Sequence, residues 1–281
     1  MAHIFSRIHR AGLLYGVLMV AAFGAFMWST RVWPDTPDGL FHLQRVRALA
    51  EALRSGVLYP RWFPDFAFGH GYPVFHYYAP AFYYPPAILH LLGLDLILAT
   101  RIASAALFAL SGGAMLLLLR CWTGWAPSLF GVGLYLASPY RLYDFFVRGA
   151  LPEFAAFLWL PLLVYAGCAV APADWRLGDL RTGSSPRRTA PFVALALSVT
   201  GLVVTHNLTA LMAIVAGGTA WAVSLVAALA TTGDEAGKRI RLATSGAAGG
   251  LGVATGILLS APYAAPALLD AWWVNIGAGE S

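Results

Sequence analysis

Three groups of polar side chains could take part in chemistry, and each lies beside an apolar stretch. The first group, Asp35, Asp38 and His42, follows the first apolar run. Asp38 and His42 are four residues apart, so they share one face if this segment is helical. Two carboxylates and an imidazole can bind a divalent metal, or supply a general base with an orienting partner. The alternative is structural, because the helix dipole alone favours acids near a helix N-terminus.

The second group is Arg148 with Glu153, at the start of a later apolar segment. Ionisable groups at the edge of a bilayer are costly and are often functional. Arg148 could hold a phosphate through forked, charge-assisted hydrogen bonds, and Glu153 could bind a metal or an acceptor hydroxyl. The alternative is an ion pair at a helix end. The nearby Arg141 and Asp144 are interpreted as charges that mark the membrane boundary.

The third group, His206 with Asn207, interrupts an apolar stretch of about 40 residues, which is long enough for two spans. Both are candidates for substrate binding, and the alternative for the histidine is a structural role. Tyr72 lies in a loop that is rich in aromatic residues, glycine and proline. Such aromatics suit the interfacial belt of a membrane protein, or a wall that contacts sugar or lipid.

The composition places these groups in a membrane protein. Of 281 residues, 59% are hydrophobic and 11% are charged, whereas a soluble domain carries about 25% charged residues. This excludes an ordinary cytosolic enzyme, a disordered chain and a collagen-like fibre. Two cysteines exclude a disulfide framework and a four-cysteine zinc site. The basic excess of +5 is scattered between apolar runs, so we expect the lipid bilayer, and no nucleic acid, as a partner.

Apolar runs long enough to cross a bilayer, about 20 residues each, predict an all-α, polytopic helix bundle of about seven or eight spans. The clear candidates are 11–30, 97–119, 125–140, 152–171, 190–205, 208–230 and 243–262. The stretch 80–94 is short and contains three prolines, so it either spans or only dips into the membrane. We interpret 1–281 as a single transmembrane domain, either a short form or the N-terminal part of a longer protein.

The positive-inside rule gives an orientation. If 80–94 does not span and the N-terminus is cytoplasmic, the cytoplasmic side holds ten basic and four acidic residues, including the basic loop 172–190. The other side then holds eight basic and nine acidic residues. We therefore expect an integral membrane protein with a cytoplasmic N-terminus. All three polar groups then lie on the outer face.

The first outer loop, 31–96, is long enough to expect a function. Thr36 is predicted to cap a helix that Pro37 begins and that covers roughly 38–54. Apolar residues recur along this helix at helical spacing, which predicts an amphipathic helix that lies on the membrane surface. These residues are Leu40, Leu43, Val46, Ala50 and Leu53.

Five stretches together resemble the GT-C class of polytopic membrane glycosyltransferases. The resemblance is greatest to a group of bacterial membrane proteins labelled "6-pyruvoyl-tetrahydropterin synthase-related", although nothing here resembles the soluble pterin enzyme. The stretches are Asp38-Gly39-Leu40-Phe41-His42, Gly69-His70-Gly71-Tyr72-Pro73, Pro139-Tyr140-Arg141-Leu142, Val147-Arg148-Gly149-Ala150 with Glu153, and Thr205-His206-Asn207-Leu208-Thr209.

The resemblance implies a GT-C-like fold in a bacterial plasma membrane and a polyprenyl-phosphate-linked sugar as donor. It implies that a first-loop acid, Asp38 or Asp35, acts as base or metal ligand, with Glu153 as the second-loop acid. A divalent metal, Mg or Mn, would then be held by Asp38, His42 and Glu153, and the substrate would contact Arg148, His206, Asn207, His42 and Tyr72. The sequence departs from the class because Glu153 stands alone where an acidic pair is usual. It also ends at Ser281, soon after a span. The alternatives are a lipid or glycolipid transporter and a non-catalytic membrane subunit.

Overall fold

The computed structural model describes residues 33–170, 189–232 and 236–273, with residues 14, 17–18, 21–23 and 25 near the N-terminus. These residues form helices and no strand, and a single isolated antiparallel bridge joins Phe63 to Tyr72. The all-α prediction is therefore confirmed over this part of the chain. Most of the predicted span 11–30 and of the basic loop 172–190 lies outside the described residues.

The helices run along the chain with short connections. They are α1 (Gly39–Arg54), α2 (Val74–Tyr77), α3 (Tyr84–Leu91), α4 (Leu96–Arg120), α5 (Trp125–Leu136), α6 (Pro139–Tyr143), α7 (Leu151–Ala156), α8 (Trp159–Val170), α9 (Thr189–Thr205), α10 (Asn207–Thr231), α11 (Ala236–Leu259) and α12 (Ala261–Leu269). A π-helix over Asp144–Arg148 follows α6, and 3₁₀ turns lie at Ala81–Tyr83 and Ala271–Trp273.

Four helical segments are long and apolar enough to cross a membrane. They are α4, α7 together with α8, α10 and α11, which correspond to the predicted spans 97–119, 152–171, 208–230 and 243–262. α9 is apolar but shorter. α11 begins at Ala236, so Lys238 and Arg239 belong to this helix, whereas the predicted span began at 243.

The predicted span 125–140 is not one helix. α5 has 12 residues, which cover about 18 Å at 1.5 Å per residue. This is well short of the hydrocarbon thickness of about 30 Å. Pro139 disfavours helical geometry at the residue before it, and Ser138 accordingly has an extended ψ of 123°. The proline therefore explains why a new helix begins at this point.

The stretch 80–94 contains only a 3₁₀ turn and the eight residues of α3. Eight residues cover about 12 Å as an α-helix, which is too short to cross a bilayer. Pro85 and Pro86 lie in the first turn of α3, where a missing N–H costs little, and Pro80 precedes the 3₁₀ turn. The shortness of this helix supports the interpretation that 80–94 does not span the membrane. The predicted orientation depends on that interpretation, and the orientation itself stays a prediction.

The predicted first-loop helix is present, but its start differs from the prediction. α1 begins at Gly39, and Asp38 precedes it without a capping hydrogen bond from its side chain. The predicted cap, Thr36, has a buried hydroxyl that bonds to none of the described atoms. Thr36 contributes its carbonyl instead, which accepts from the Gly39 N–H at 3.2 Å.

The apolar face of α1 is covered by protein. Val46 and Leu49 are fully buried, and Leu43 and Ala50 nearly so, whereas Leu40 is 64% exposed. The buried residues pack into a core shared with α3 and α4. The helix is therefore amphipathic as predicted, but its apolar face packs on the bundle and not on lipid.

Candidate functional site

The segment between α6 and α7, named the second loop below, contains a π-helix, a helix type that is frequent at functional sites. The π-helix over Asp144–Arg148 ends at Gly149, whose φ of +73° lies in the left-handed region that favours glycine. A Cβ atom on Gly149 would lie 2.3 Å from the Thr36 Oγ1 atom. Both the backbone angle and the close approach of the first loop therefore require glycine here.

Four polar side chains from this loop form a hydrogen-bonded group, which we name the carboxylate cluster: Tyr140, Asp144, Arg148 and Glu153. The Arg148 Nη1 atom lies 2.8 Å from Asp144 Oδ1 and 3.0 Å from Glu153 Oε2. The Tyr140 hydroxyl donates to the other oxygen of Glu153. The side chain of Arg148 is 41% exposed, whereas those of Asp144 and Glu153 are 0% and 10% exposed. Arg148 and Tyr140, which is 53% exposed, thus form the open edge of the cluster.

Asp144 is not the boundary charge that the sequence suggested. Its side chain is buried, and burial, reinforced by the charge of Glu153, raises its pKa to about 6 despite the neighbouring Arg148. Its Oδ2 atom bonds to no other atom of the described residues. Asp144 therefore gives the loop a second carboxylate. Its spacing of four residues from Arg148 is the sequence signal that could have revealed it.

Arg141, also interpreted as a boundary charge, is fully buried among aromatic rings. Its guanidinium carbon lies 4.6 Å from the ring centre of Phe108, 4.8 Å from Phe154, 5.2 Å from Phe157 and 5.5 Å from Tyr135. None of its nitrogens bonds to a described atom. Burial lowers its pKa to about 10, so the side chain stays charged and cation–π attraction offsets part of its desolvation.

The N-terminal end of α1 meets the second loop directly. The Asp38 N–H donates to the carbonyl of Arg148 at 3.3 Å. His42, one turn further on, is 1% exposed. Burial, with the charge of Arg45 adding to it, lowers the pKa of His42 to about 3, although the backbone of Gly149 acts in the opposite direction. His42 is therefore neutral, and it supports the site from within.

Arg45 continues the same face of α1, where a second polar group forms. Its Nη1 atom donates to the Tyr83 hydroxyl at 3.1 Å, and its guanidinium carbon lies 4.4 Å from the ring centre of Tyr78. The Tyr83 hydroxyl is 2.7 Å from Nδ1 of His42. The Tyr83 hydroxyl thus joins Arg45 to His42. Burial raises the pKa of Tyr78, Arg45 lowers it and the charge of Asp38 raises it, with a net rise. Asp38 therefore lies within electrostatic range of Tyr78. Arg45 is not among the candidate residues that the sequence suggested.

His206 approaches the carboxylate cluster from the third loop. It caps α10, since its Nδ1 atom lies 2.7 Å from the Thr209 hydroxyl and accepts from the Thr209 N–H at 3.4 Å. Burial lowers its pKa, while the charge of Glu153 raises it and that of Arg148 lowers it further. The imidazole is therefore within electrostatic range of both charged groups.

Asn207, Asp35 and Tyr72 stand apart from this arrangement. Asn207 holds the first loop, because its side chain donates to the Tyr77 carbonyl at 3.3 Å and accepts from the Tyr263 hydroxyl at 2.8 Å. Asp35 and Tyr72 are exposed, and within the described ranges neither side chain hydrogen-bonds to the cluster. The structure thus joins the backbone of Asp38 to that of Arg148 and pairs Arg148 with Glu153. It places His206 within electrostatic range of this pair, and leaves Asn207, Asp35 and Tyr72 outside.

The described residues contain no group of three His, Cys, Asp or Glu side chains that could hold a metal ion. Of the predicted ligands Asp38, His42 and Glu153, the histidine already shares its Nδ1 with Tyr83, and the glutamate is bonded to Tyr140 and Arg148. A divalent metal, Mg or Mn, therefore stays a prediction.

Compared with protein-family models, curated proteins and solved structures, this chain matches none of them. The argument for its function therefore depends on the geometry of the site.

Proposed function

We propose that this chain is a membrane glycosyltransferase of GT-C type, acting at the outer face of a bacterial plasma membrane. It transfers a sugar from a polyprenyl-phosphate donor to an acceptor hydroxyl. The supporting observation is the direct contact of two loops that carry acids: the Asp38 N–H donates to the Arg148 carbonyl. An exposed carboxylate and a buried, hydrogen-bonded acid pair thus lie on adjoining segments.

The groups have separate roles in this proposal. Asp38 is exposed and takes the proton of the acceptor hydroxyl, as a general base must be reachable by the substrate. The acceptor oxygen forms a bond to the anomeric carbon while the bond from that carbon to the phosphate oxygen breaks. The leaving phosphate keeps the electron pair. Glu153, held in place by Tyr140 and Arg148, binds the acceptor by hydrogen bonds.

Arg148 fits a positioning role better than a phosphate contact. Its guanidinium lies between the carboxylates of Asp144 and Glu153. Two carboxylates and one guanidinium leave a net negative charge when both acids are ionised, and a negative group repels a phosphate. The geometry therefore favours an arginine that holds the acid pair in place.

The test is transfer of a radiolabelled sugar from a polyprenyl-phosphate donor by the purified chain in lipid nanodiscs. We expect Asp38→Asn to lower the rate by about 10²- to 10⁴-fold, the usual contribution of a general base. The matched control is Asp35→Asn, which removes an equal charge three residues earlier and should keep the rate. Wild-type rates in the Asp38 variant would refute the base assignment.

Two further measurements separate this proposal from its alternatives. Loss of transfer on chelation, with recovery on adding Mg or Mn, would establish the predicted metal. A wild-type chain that carries labelled lipid across vesicles, without forming a glycosyl bond, would identify a transporter instead. A chain that neither transfers nor transports would be a non-catalytic subunit.

A further inference from the structure

Arg45 is the strongest candidate for a binding site outside the carboxylate cluster. Its described partners are two phenols: the Tyr83 hydroxyl at 3.1 Å and the Tyr78 ring, whose centre lies 4.4 Å from the guanidinium carbon. Among the described residues, no carboxylate lies within 4.0 Å of it. Burial raises the pKa of both tyrosines, so the phenols are neutral and leave the positive charge uncompensated.

The other cations that could serve this site are occupied or enclosed. Arg148 is paired with two carboxylates. Arg141 is fully buried within its ring of aromatics, so no ligand reaches it in this conformation. Arg47, on the same helix as Arg45, is paired with Glu51 at 2.8 Å and points to solvent. Arg45 is half-buried, so part of its side chain is exposed.

The two phenols also fix the orientation of the guanidinium. The ring of Tyr78 supports its flat face, and the bond to Tyr83 uses one of its five N–H groups. A planar guanidinium held in this way keeps a fork of donors for a second ligand, and such forks match the oxygens of a phosphate. Preorganisation of this kind reduces the entropy lost on binding.

We propose that Arg45, with Tyr78 beneath it, forms an oxyanion subsite that binds a phosphate group. Asp38, the residue before α1, and Arg45 are seven residues apart, which corresponds to about 10 Å along the helix axis. A donor sugar bound between them would have its phosphate next to Arg45, and the acceptor hydroxyl that attacks it would lie next to Asp38. The inference depends on the proposed function only for the carrier of the phosphate, since the subsite itself follows from the charge and geometry of Arg45.

Direct binding tests this subsite without any transfer reaction. The full chain, purified in phosphate-free detergent, is titrated with farnesyl phosphate, inorganic phosphate and farnesol, and binding is followed by calorimetry. We expect Arg45→Gln to weaken farnesyl phosphate binding about tenfold or more, as expected for the loss of a charge-assisted contact. Arg47→Gln is the matched control, and it should bind within about twofold of the wild type because its charge is already paired on the solvent side.

Inorganic phosphate and farnesol identify what the site recognises. If inorganic phosphate competes and also depends on Arg45, the subsite reads the phosphate alone; if only farnesyl phosphate binds, it reads a lipid-linked phosphate. Both results support the subsite. Farnesol binding as tightly as farnesyl phosphate would overturn it, as would a wild-type chain that binds no probe. If Arg148→Gln abolishes binding and Arg45→Gln leaves it unchanged, the phosphate binds at the carboxylate cluster and the Arg45 subsite is refuted.

A second variant guards against misfolding. Arg45→Lys keeps the charge but not the planar fork, so it should bind with intermediate affinity and a wild-type melting temperature. If both variants stay folded and both lose farnesyl phosphate binding completely, positive charge at this position does not bind the phosphate, and the subsite is refuted. Phosphate binding that depends on Arg45 in a chain without transferase activity would keep the subsite and refute the glycosyl transfer.

Discussion

Replacing Gly149 by alanine tests the contact on which the site depends. Gly149 has a φ of +73°, and an added Cβ would lie 2.3 Å from Thr36 Oγ1 and 3.0 Å from the backbone nitrogen of Gly39. The threonine is buried and β-branched, so its hydroxyl cannot easily turn away. The nitrogen belongs to the backbone and cannot move alone. Alanine at 149 must therefore separate the two loops or strain them.

The structure allows the cost to be divided into two parts. The left-handed backbone angle costs a residue with a Cβ atom about 1–2 kcal/mol. Overpacking a tight contact adds about 1–3 kcal/mol. We therefore expect Gly149→Ala to lower the free energy of unfolding by about 2–5 kcal/mol, the sum of the two effects.

Two other glycines separate these effects. Gly56 has a φ of +87° with no atom within 4 Å of an added Cβ, so Gly56→Ala should show only the backbone cost of about 1–2 kcal/mol. Gly113 lies within α4, where an added Cβ also meets nothing within 4 Å. Because alanine is the better helix former, Gly113→Ala should be neutral or stabilising.

The assay is reversible unfolding in mixed micelles with increasing SDS, followed by circular dichroism. The expected order of stability is Gly113→Ala, then Gly56→Ala, then Gly149→Ala. If Gly149→Ala is no less stable than Gly56→Ala, the two loops are not in contact at this point. In that case the acids of the two loops would not be held at one site.

Two further predictions concern the polar contacts. Because folded Asp144 holds its proton up to about pH 6 and the unfolded chain releases it near 3.8, stability present below about pH 4 is lost as the pH rises through 6, by at most about 3 kcal/mol. Asp144→Asn should reduce the pH dependence of the free energy of unfolding over this range. An unchanged pH dependence would contradict the raised pKa of Asp144. Tyr263→Phe removes the hydroxyl that donates to Asn207 and Tyr77, which should cost about 1–2 kcal/mol and speed proteolysis near residue 77. Asn207→Ala in the same background should add less than it costs alone, and full additivity would show that the two residues act separately.

The sequence predicted those features that depend on length and local composition. Long apolar runs gave α4, α10 and α11, and the apolar periodicity gave α1 to within one residue of its start. The predicted span 125–140 failed because hydropathy does not register a break: Ala137 and Ser138 separate two short helices within a continuously apolar stretch. Thr36 failed as a cap for a different reason, because its side chain faces Gly149, a contact between distant segments.

The candidate site could be predicted in part because Asp38 and Arg148 were chosen by residue type, and both are exposed or half-exposed in the fold. Asp38 and Arg148 lie in loops that the orientation argument had already placed together. Asp144 and Arg141 were misread because a charge beside an apolar segment resembles a boundary residue, whatever surrounds it in the fold.

Only tertiary structure shows what surrounds Arg141. The rings that enclose it come from α4, α5 and the junction of α7 with α8, and none lies within five residues of it in sequence. A buried charge without hydrogen-bond partners is costly unless something offsets its desolvation, and four aromatic faces can do so only once the spans have packed. The same packing puts the first and second loops in contact at Gly149. The position of the acids at the site therefore depends on residues that carry no chemistry of their own, and for this reason sequence motifs alone could not place them.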